Sequence, residues 1–186
     1  MPDNKRTSIH RSTGRIALSG VIAGLAVAVM LASAILPSMT YALPMVAGAL
    51  LVIPAIEFGS GTALSAYAAI SILAFILPAD KEAALMFVLL FGLYPIIKKF
   101  FEQIKLRPLE IFFKFLYFNA AAVGAVSLAF FIFGVPITDS RLGKWTVPLL
   151  LIAGNICFLI YDVTLTQYIT LYVRRLQPIL RKTFHL

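Results

Sequence analysis

The sequence predicts an all-α integral membrane protein, a bundle of six transmembrane helices with both termini in the cytoplasm. Of its 186 residues, 61% are hydrophobic and only 13% are charged. Soluble domains carry roughly 45–50% apolar and about 25% charged residues, so this composition indicates a membrane protein. The net charge of +8 does not indicate nucleic-acid binding, because the basic residues lie in short segments between apolar runs.

Six apolar segments occupy residues 15–173, between a basic leader at 1–14 and a basic tail at 174–186. The predicted spans cover residues 15–37, 41–58, 62–77, 83–97, 109–133 and 146–173. After Arg15, the first span runs about twenty residues without a charge, which is enough to cross the hydrocarbon of a bilayer. Pro44 and Pro54 interrupt span 2, and Gly92 and Pro95 bend span 4, where neighbouring helices can satisfy the freed backbone groups.

The distribution of Lys and Arg predicts the orientation of these spans. The predicted inner segments hold twelve of them, namely Lys5, Arg6, Arg11, Arg15, Lys98, Lys99, Lys105, Arg107, Arg174, Arg175, Arg181 and Lys182. The outer links hold three, Lys81, Arg141 and Lys144, and Lys114 lies within span 5. Because cytoplasmic loops carry the excess of positive charge, both ends are expected inside a cell membrane crossed several times.

Span 1 carries a stripe of small residues, in which Gly20, Gly24 and Ala28 recur at every fourth position. Ser19 and Ala23 lie beside this stripe. In lipid, small residues let helix backbones approach closely, and this approach is a main source of helix association. The stripe serves either ordinary packing within the bundle or, as a sharper hypothesis, docking of a partner through these five residues.

Polar residues at membrane depth need a partner or a function, because an ionisable group in hydrocarbon costs a few kcal/mol. Asp162 lies deep in span 6, with Asn155 on the same helical face, while Lys114 and Asn119 lie in span 5. Antiparallel packing could join Lys114, Asn119 and Asp162 in a polar clasp. A proton or ion pathway and part of a ligand cavity are the alternatives.

An outward-facing ligand pocket is a further hypothesis. Its candidate residues are Tyr41, Tyr67, Asp80, Lys81, Glu82, Asn119, Trp145 and Asn155. A short charged link above helices bent by proline could close such a pocket. The simpler interpretation is that the charged link is a solvated turn and that the aromatic residues near it form an interfacial belt.

The sequence gives little indication of catalysis. His10 and His185 lie in the terminal tails, and Cys157 lies alone in an apolar run, so no metal site or nucleophilic pair is predicted. No phosphate-binding loop, dinucleotide fingerprint or HExxH motif occurs. We expect a protein that is not an enzyme and has no cofactor, whose energy comes from a gradient or from another polypeptide.

Three stretches carry a resemblance to a known family: ALSGVIAGLA at 17–26, TYALPMVAGALL at 40–51 and PADKEAAL at 78–85. With the six short spans, they resemble the substrate-binding S-component of energy-coupling factor (ECF) transporters over about residues 15–173. The chain also looks like a group of small bacterial membrane proteins allied to that superfamily and, more distantly, like the rod-shape protein MreD.

This resemblance implies an ECF S-component-like fold and a role as the substrate-binding subunit of a multicomponent importer. Span 1 would dock on a coupling subunit driven by two ATPases, and a vitamin-like small molecule would bind toward the outer face. An MreD-like scaffold that organises protein partners is the alternative, and a stand-alone gradient-driven transporter is the third. The single deep carboxylate and the lack of an evident inverted repeat argue against this third class.

Overall fold

A computed structural model describes residues 3–77, 80–133 and 146–178. The all-α class is confirmed, because 90% of the structure is helical and the described residues contain no strand. The helices are α1 (Asp3–Ile35), α2 (Ala42–Leu50), α3 (Val52–Glu57), α4 (Ser60–Ile76), α5 (Lys81–Met86), α6 (Tyr94–Glu102), α7 (Arg107–Phe133) and α8 (Thr146–Leu171). A 3₁₀ turn lies at Pro37–Met39, and π-helical segments lie at Phe87–Phe91 and Tyr172–Leu176.

Four helical stretches are long and apolar enough to cross a membrane. They are Ile16–Ile35, Lys81–Glu102, Arg107–Phe131 and Pro148–Leu176, with 20, 22, 25 and 29 residues. At about 1.5 Å per residue, the shortest of them covers about 30 Å, the thickness of the hydrocarbon core. The predicted spans 2 and 3 correspond to shorter apolar helices, Ala42–Glu57 and Ser60–Ile76.

The outside of the bundle is covered by large apolar side chains. Phe131, Ile35 and Ile76 are 82%, 79% and 73% exposed, and many others on α7 and α8 are also exposed. Soluble monomers rarely expose contiguous apolar patches larger than a few hundred Å². An exterior of this kind is suited to hydrocarbon, which agrees with the four membrane-length helices.

The stretch Lys81–Glu102 is the centre of the bundle, and 56% of its most apolar part is buried, against 17% for Arg107–Phe131 and for Pro148–Leu176. In one core cluster, the first half of this stretch packs against α1, α2 and α4. In a second cluster, the second half of the stretch packs against α3, α7 and α8. The clusters include Met30, Leu51, Ile70 and Phe87 in the first, and Val52, Leu90, Tyr94, Phe118, Phe158 and Tyr161 in the second.

The centre of this stretch is π-helical because Gly92 allows a wider turn. The Gly92 N–H donates to the Phe87 carbonyl at 2.7 Å, five residues back. A Cβ atom at Gly92 would lie 2.8 Å from that carbonyl oxygen, closer than real Cβ contacts. Gly48 of α2 packs directly on the Phe91 carbonyl, with no room for a Cβ. The two glycines therefore permit the wide turn and the close approach of α2 to it.

The predicted end of span 4 was wrong. The predicted span ended at residue 97 and left Lys98 in a cytoplasmic loop, but α6 continues to Glu102 and only residues 103–106 separate it from α7. Lys98 is 1% exposed and lies inside the bundle. Its charge is balanced there by carboxylates, so hydropathy alone places the helix end too early.

Candidate functional site

A polar network in the bundle centres on the carboxylate of Asp162. The Tyr94 hydroxyl donates to Asp162 Oδ1 at 2.6 Å, and Lys98 Nζ forms an ion pair with the same oxygen. Lys114 Nζ lies 3.1 Å from the other oxygen, Oδ2. Helices α6, α7 and α8 therefore meet at one carboxylate, both of whose oxygens accept hydrogen bonds.

Helical spacing positions the partners of Asp162. Tyr94, Lys98 and Glu102 recur every fourth residue and lie on one face of α6, as residues four apart do. Lys98 Nζ lies 3.1 Å from Glu102 Oε1. On α7, Lys114 Nζ lies 2.7 Å from Glu110 Oε1 in the same four-residue relation. Each lysine therefore bridges Asp162 and a glutamate of its own helix.

The network runs from the interior of the bundle toward its surface. The side chain of Lys98 is 1% exposed and that of Asp162 is 17% exposed, whereas Glu102 is 42% exposed. Three carboxylates and two ammonium groups nearly cancel in charge, which lowers the cost of keeping them out of water. Chemically, this arrangement holds three helices together through ion pairs. It leaves neither oxygen of Asp162 as a free nucleophile.

The structure brings two of the three predicted clasp residues together, Lys114 and Asp162, but it does not bring Asn119 to them. Asn119 and Asn155 instead exchange two hydrogen bonds of 3.0 Å between α7 and α8. Each amide also donates to the carbonyl four residues back on its own helix, Phe115 or Leu151. The placement of Asn119 in the clasp is therefore corrected, because an opposite amide satisfies both its donor and its acceptor.

In the link that precedes α5, the charged residues form hydrogen bonds with their neighbours. Tyr41 Oη donates to Glu82 Oε1 at 2.6 Å, and Asp80 Oδ1 accepts the Glu82 N–H at 2.9 Å and caps α5. Lys81 Nζ donates to the Phe75 carbonyl at 2.6 Å. Partial burial and then the Glu82 carboxylate raise the pKa of Tyr41 to about 12.

The eight predicted pocket residues do not form one site. Tyr41, Asp80, Lys81 and Glu82 lie together near the start of α5. Tyr67 lies elsewhere, donating to the Val88 carbonyl at 2.7 Å. The remaining residues are the asparagine pair between α7 and α8, together with Trp145, which lies outside the described residues. Each described polar group therefore has a partner within the chain.

The small-residue stripe of α1 divides between two faces. Gly20 and Gly24 face open space, since a Cβ at either would meet no atom within 4 Å, and Ala28 is also exposed. Ser19 is 8% exposed and Ala23 packs on the first core cluster. The predicted docking set of five therefore reduces to three outward-facing residues, because adjacent positions on a helix point about 100° apart.

Sequence reasoning missed Tyr94, Lys98, Glu102 and Glu110 as members of the site. The signal was the spacing of a tyrosine, a lysine and a glutamate at every fourth position across the end of an apolar run. Ending the helix at residue 97 concealed this shared face.

Comparison of the chain with protein-family models, with curated proteins and with solved structures finds no match. Its function is therefore inferred from its own residues.

Proposed function

We propose that the chain is a multi-pass membrane subunit that docks on a partner through α1, as the substrate-binding subunit of a multicomponent importer for a vitamin-like molecule. It would cross the cell membrane six times with both termini in the cytoplasm. The observation that carries this proposal is the open face at Gly20, Gly24 and Ala28 on a helix that otherwise packs into the bundle.

An uncovered glycine face on a membrane helix favours docking for a physical reason. Apolar side chains gain little by leaving lipid for protein, so association depends on close packing of backbones. Gly20 and Gly24 form a shallow groove, and the exposed Val21 and Leu25 form a ridge beside it. A partner helix with its own small residues would fit this surface. An ECF-type coupling subunit driven by ATPases is the partner that we propose.

Co-purification tests the docking surface. Gly20→Leu with Gly24→Leu is expected to abolish recovery of the partner from mild detergent, because two bulky side chains fill the groove. The matched control is Ala120→Leu with Gly124→Leu on α7. It has the same four-residue spacing, and Gly124 also has no atom within 4 Å of an added Cβ. Normal recovery of the partner with the α1 variant would contradict the proposal.

A non-transport scaffold is the second candidate, and the outer link favours it. The Tyr41–Glu82 and Thr40–Asp80 hydrogen bonds of 2.6 and 2.9 Å occupy polar groups that a ligand would otherwise use. Mass spectrometry of protein purified from native membranes distinguishes the two candidates. The importer proposal expects a stoichiometric small molecule that is lost on denaturation. A recovered partner without any small molecule would favour the scaffold.

A further inference from the structure

A groove of about 400 Å³ runs along the C-terminal part of α8 and the π-helical segment that follows it. It is lined by Thr166, Gln167, Thr170, Leu171, Arg174 and Arg175. These positions form three adjacent pairs spaced four residues apart, so they lie along one side of the helix. One end of the groove adjoins the charged network, since Thr166 Oγ1 donates to the backbone carbonyl of Asp162 at 2.9 Å. The arginine end lies two turns further along the helix, and neither the proposed docking nor the clasp uses Arg174 or Arg175.

The charge of this groove is concentrated at one end. Arg174 and Arg175 are exposed, and within residues 3–77, 80–133 and 146–178 neither forms an ion pair with a carboxylate. Guanidinium groups match the geometry of phosphate oxygens and bind them through paired hydrogen bonds. Two adjacent unpaired arginines therefore favour an anionic ligand with a phosphate group.

The rest of the groove indicates what else this ligand carries. Pro148–Leu176 has 29 residues, or about 43 Å at helical rise, which exceeds the hydrocarbon core of about 30 Å. Its length exceeds the core by about 13 Å. Because Arg174 and Arg175 lie at its C-terminal end, its last turn is the end that fits the level of the lipid headgroups. Leu171 is 50% exposed, beside the arginines but one turn nearer the hydrocarbon. Gln167 adds an amide donor one turn further from the arginines than Leu171.

We propose that this groove binds an anionic phospholipid, with the headgroup phosphate on Arg174 and Arg175 and an acyl chain beside Leu171. A lipid fits better than free phosphate because the exposed apolar side chains of Leu171, Val163 and Ile160 follow the arginines along this side of the helix. Each basic residue next to a membrane helix raises the affinity for anionic lipids about fivefold. The proposal is independent of docking through α1.

Native mass spectrometry of the full chain in detergent, titrated with short-chain phosphatidylglycerol or phosphatidylcholine, tests this proposal. We expect phosphatidylglycerol to bind in preference, and Arg174→Gln with Arg175→Gln to weaken its binding about thirtyfold. The control is Lys105→Gln with Arg107→Gln, which removes two exposed basic residues, one from the loop between α6 and α7 and one from the first position of α7. This control is expected to change the dissociation constant less than threefold.

Equal losses in the two variants would overturn the proposal, because they would indicate attraction to the general positive charge. Equal binding of phosphatidylcholine would overturn it as well. Displacement of the lipid by excess inorganic phosphate would show a free-phosphate site instead of a lipid site, whereas retention supports the lipid. Thermal unfolding verifies that the arginine variant is folded, which is expected because both side chains are exposed.

Discussion

Asp162 shows how one buried carboxylate is made acceptable inside the bundle. Its two oxygens accept hydrogen bonds from Tyr94, Lys98 and Lys114, which come from two other helices. Burial of an ion pair gives little net stability, because desolvation offsets the attraction between the charges. Removal of one partner is costly, however, because it leaves the other charge buried and uncompensated. The network therefore fixes how α6, α7 and α8 pair.

Asp162→Asn is predicted to lower the free energy of unfolding by about 3 kcal/mol, the lower end of the range for a broken buried pair. The lower end applies because Lys98 and Lys114 keep Glu102 and Glu110 as partners. Denaturant titration in mixed micelles, followed by circular dichroism, measures the change.

Glu82→Gln is the matched control for Asp162→Asn, since Glu82 also accepts a tyrosine hydroxyl at 2.6 Å but at an exposed position. It is expected to lower the free energy of unfolding by no more than about 1 kcal/mol.

Lys98→Met combined with Asp162→Asn is expected to lower the free energy of unfolding by less than the sum of the two single changes. The difference should be about 0.5–3 kcal/mol. Strict additivity would show that the two residues are not energetically coupled.

At the scale of elements, the π-helical segment Phe87–Phe91 is where three other helices attach. The hydroxyls of Tyr67 on α4, Tyr117 on α7 and Tyr161 on α8 donate to its carbonyls at 2.7–3.3 Å. A π-helical turn distorts the regular ladder of backbone hydrogen bonds, so its carbonyls can take side-chain donors. The wide turn thus becomes a shared acceptor surface at the centre of the bundle.

Tyr117→Phe is predicted to lower the free energy of unfolding by about 1 kcal/mol, because it removes one donor to the Leu89 and Leu90 carbonyls and keeps the ring. Tyr168→Phe is the control, since the Tyr168 hydroxyl has no hydrogen-bond partner in the described part of the chain. The same micelle titration measures both variants. An equally large loss of stability in Tyr168→Phe would contradict a stabilising role for the hydrogen bonds to the π-helical carbonyls.

Three glycines differ in their surroundings: Gly48 is closely packed, whereas Gly20 and Gly24 face open space. Gly48→Ala is predicted to cost about 1–3 kcal/mol, because the added methyl group would strike the backbone carbonyl of Phe91. Gly20→Ala and Gly24→Ala are predicted to be neutral or to stabilise the isolated chain by up to about 1 kcal/mol, since nothing lies near them and alanine favours helix. Thermal unfolding of the three variants gives the comparison. Destabilisation at Gly20 would contradict an open face.

For the whole molecule, the proposal of six membrane crossings depends on the two shorter helices. Ala42–Glu57 and Ser60–Ile76 contain 16 and 17 residues, about 25 Å each at helical rise. In a bilayer, helices of this length would either cross a locally thinned region or enter from one side and return. Both arrangements agree with the proposed orientation, since each would return the chain to the outer side before residue 81.

Cysteine labelling in a Cys157→Ser background distinguishes these arrangements. With six crossings, Ser60→Cys is expected to react with a membrane-impermeant maleimide only after the cytoplasmic side is exposed. Ser38→Cys should react in intact cells, and Lys105→Cys should behave like Ser60→Cys. All three positions are exposed in the fold, so protein burial does not prevent reaction. No labelling of Ser60→Cys from either side would show a re-entrant pair and contradict six crossings.

The sequence by itself determined the helical class and the approximate limits of the apolar segments, because hydropathy and helix-breaking residues are properties of neighbours along the chain. It also predicted the meeting of Lys114 and Asp162 from their depths. Only the tertiary structure decided that Lys98 joins them and that Asn119 pairs with Asn155. Only the tertiary structure shows that Gly20 and Gly24 face away from the rest of the bundle. These outcomes depend on the rotation and register of each helix, which packing against other helices sets.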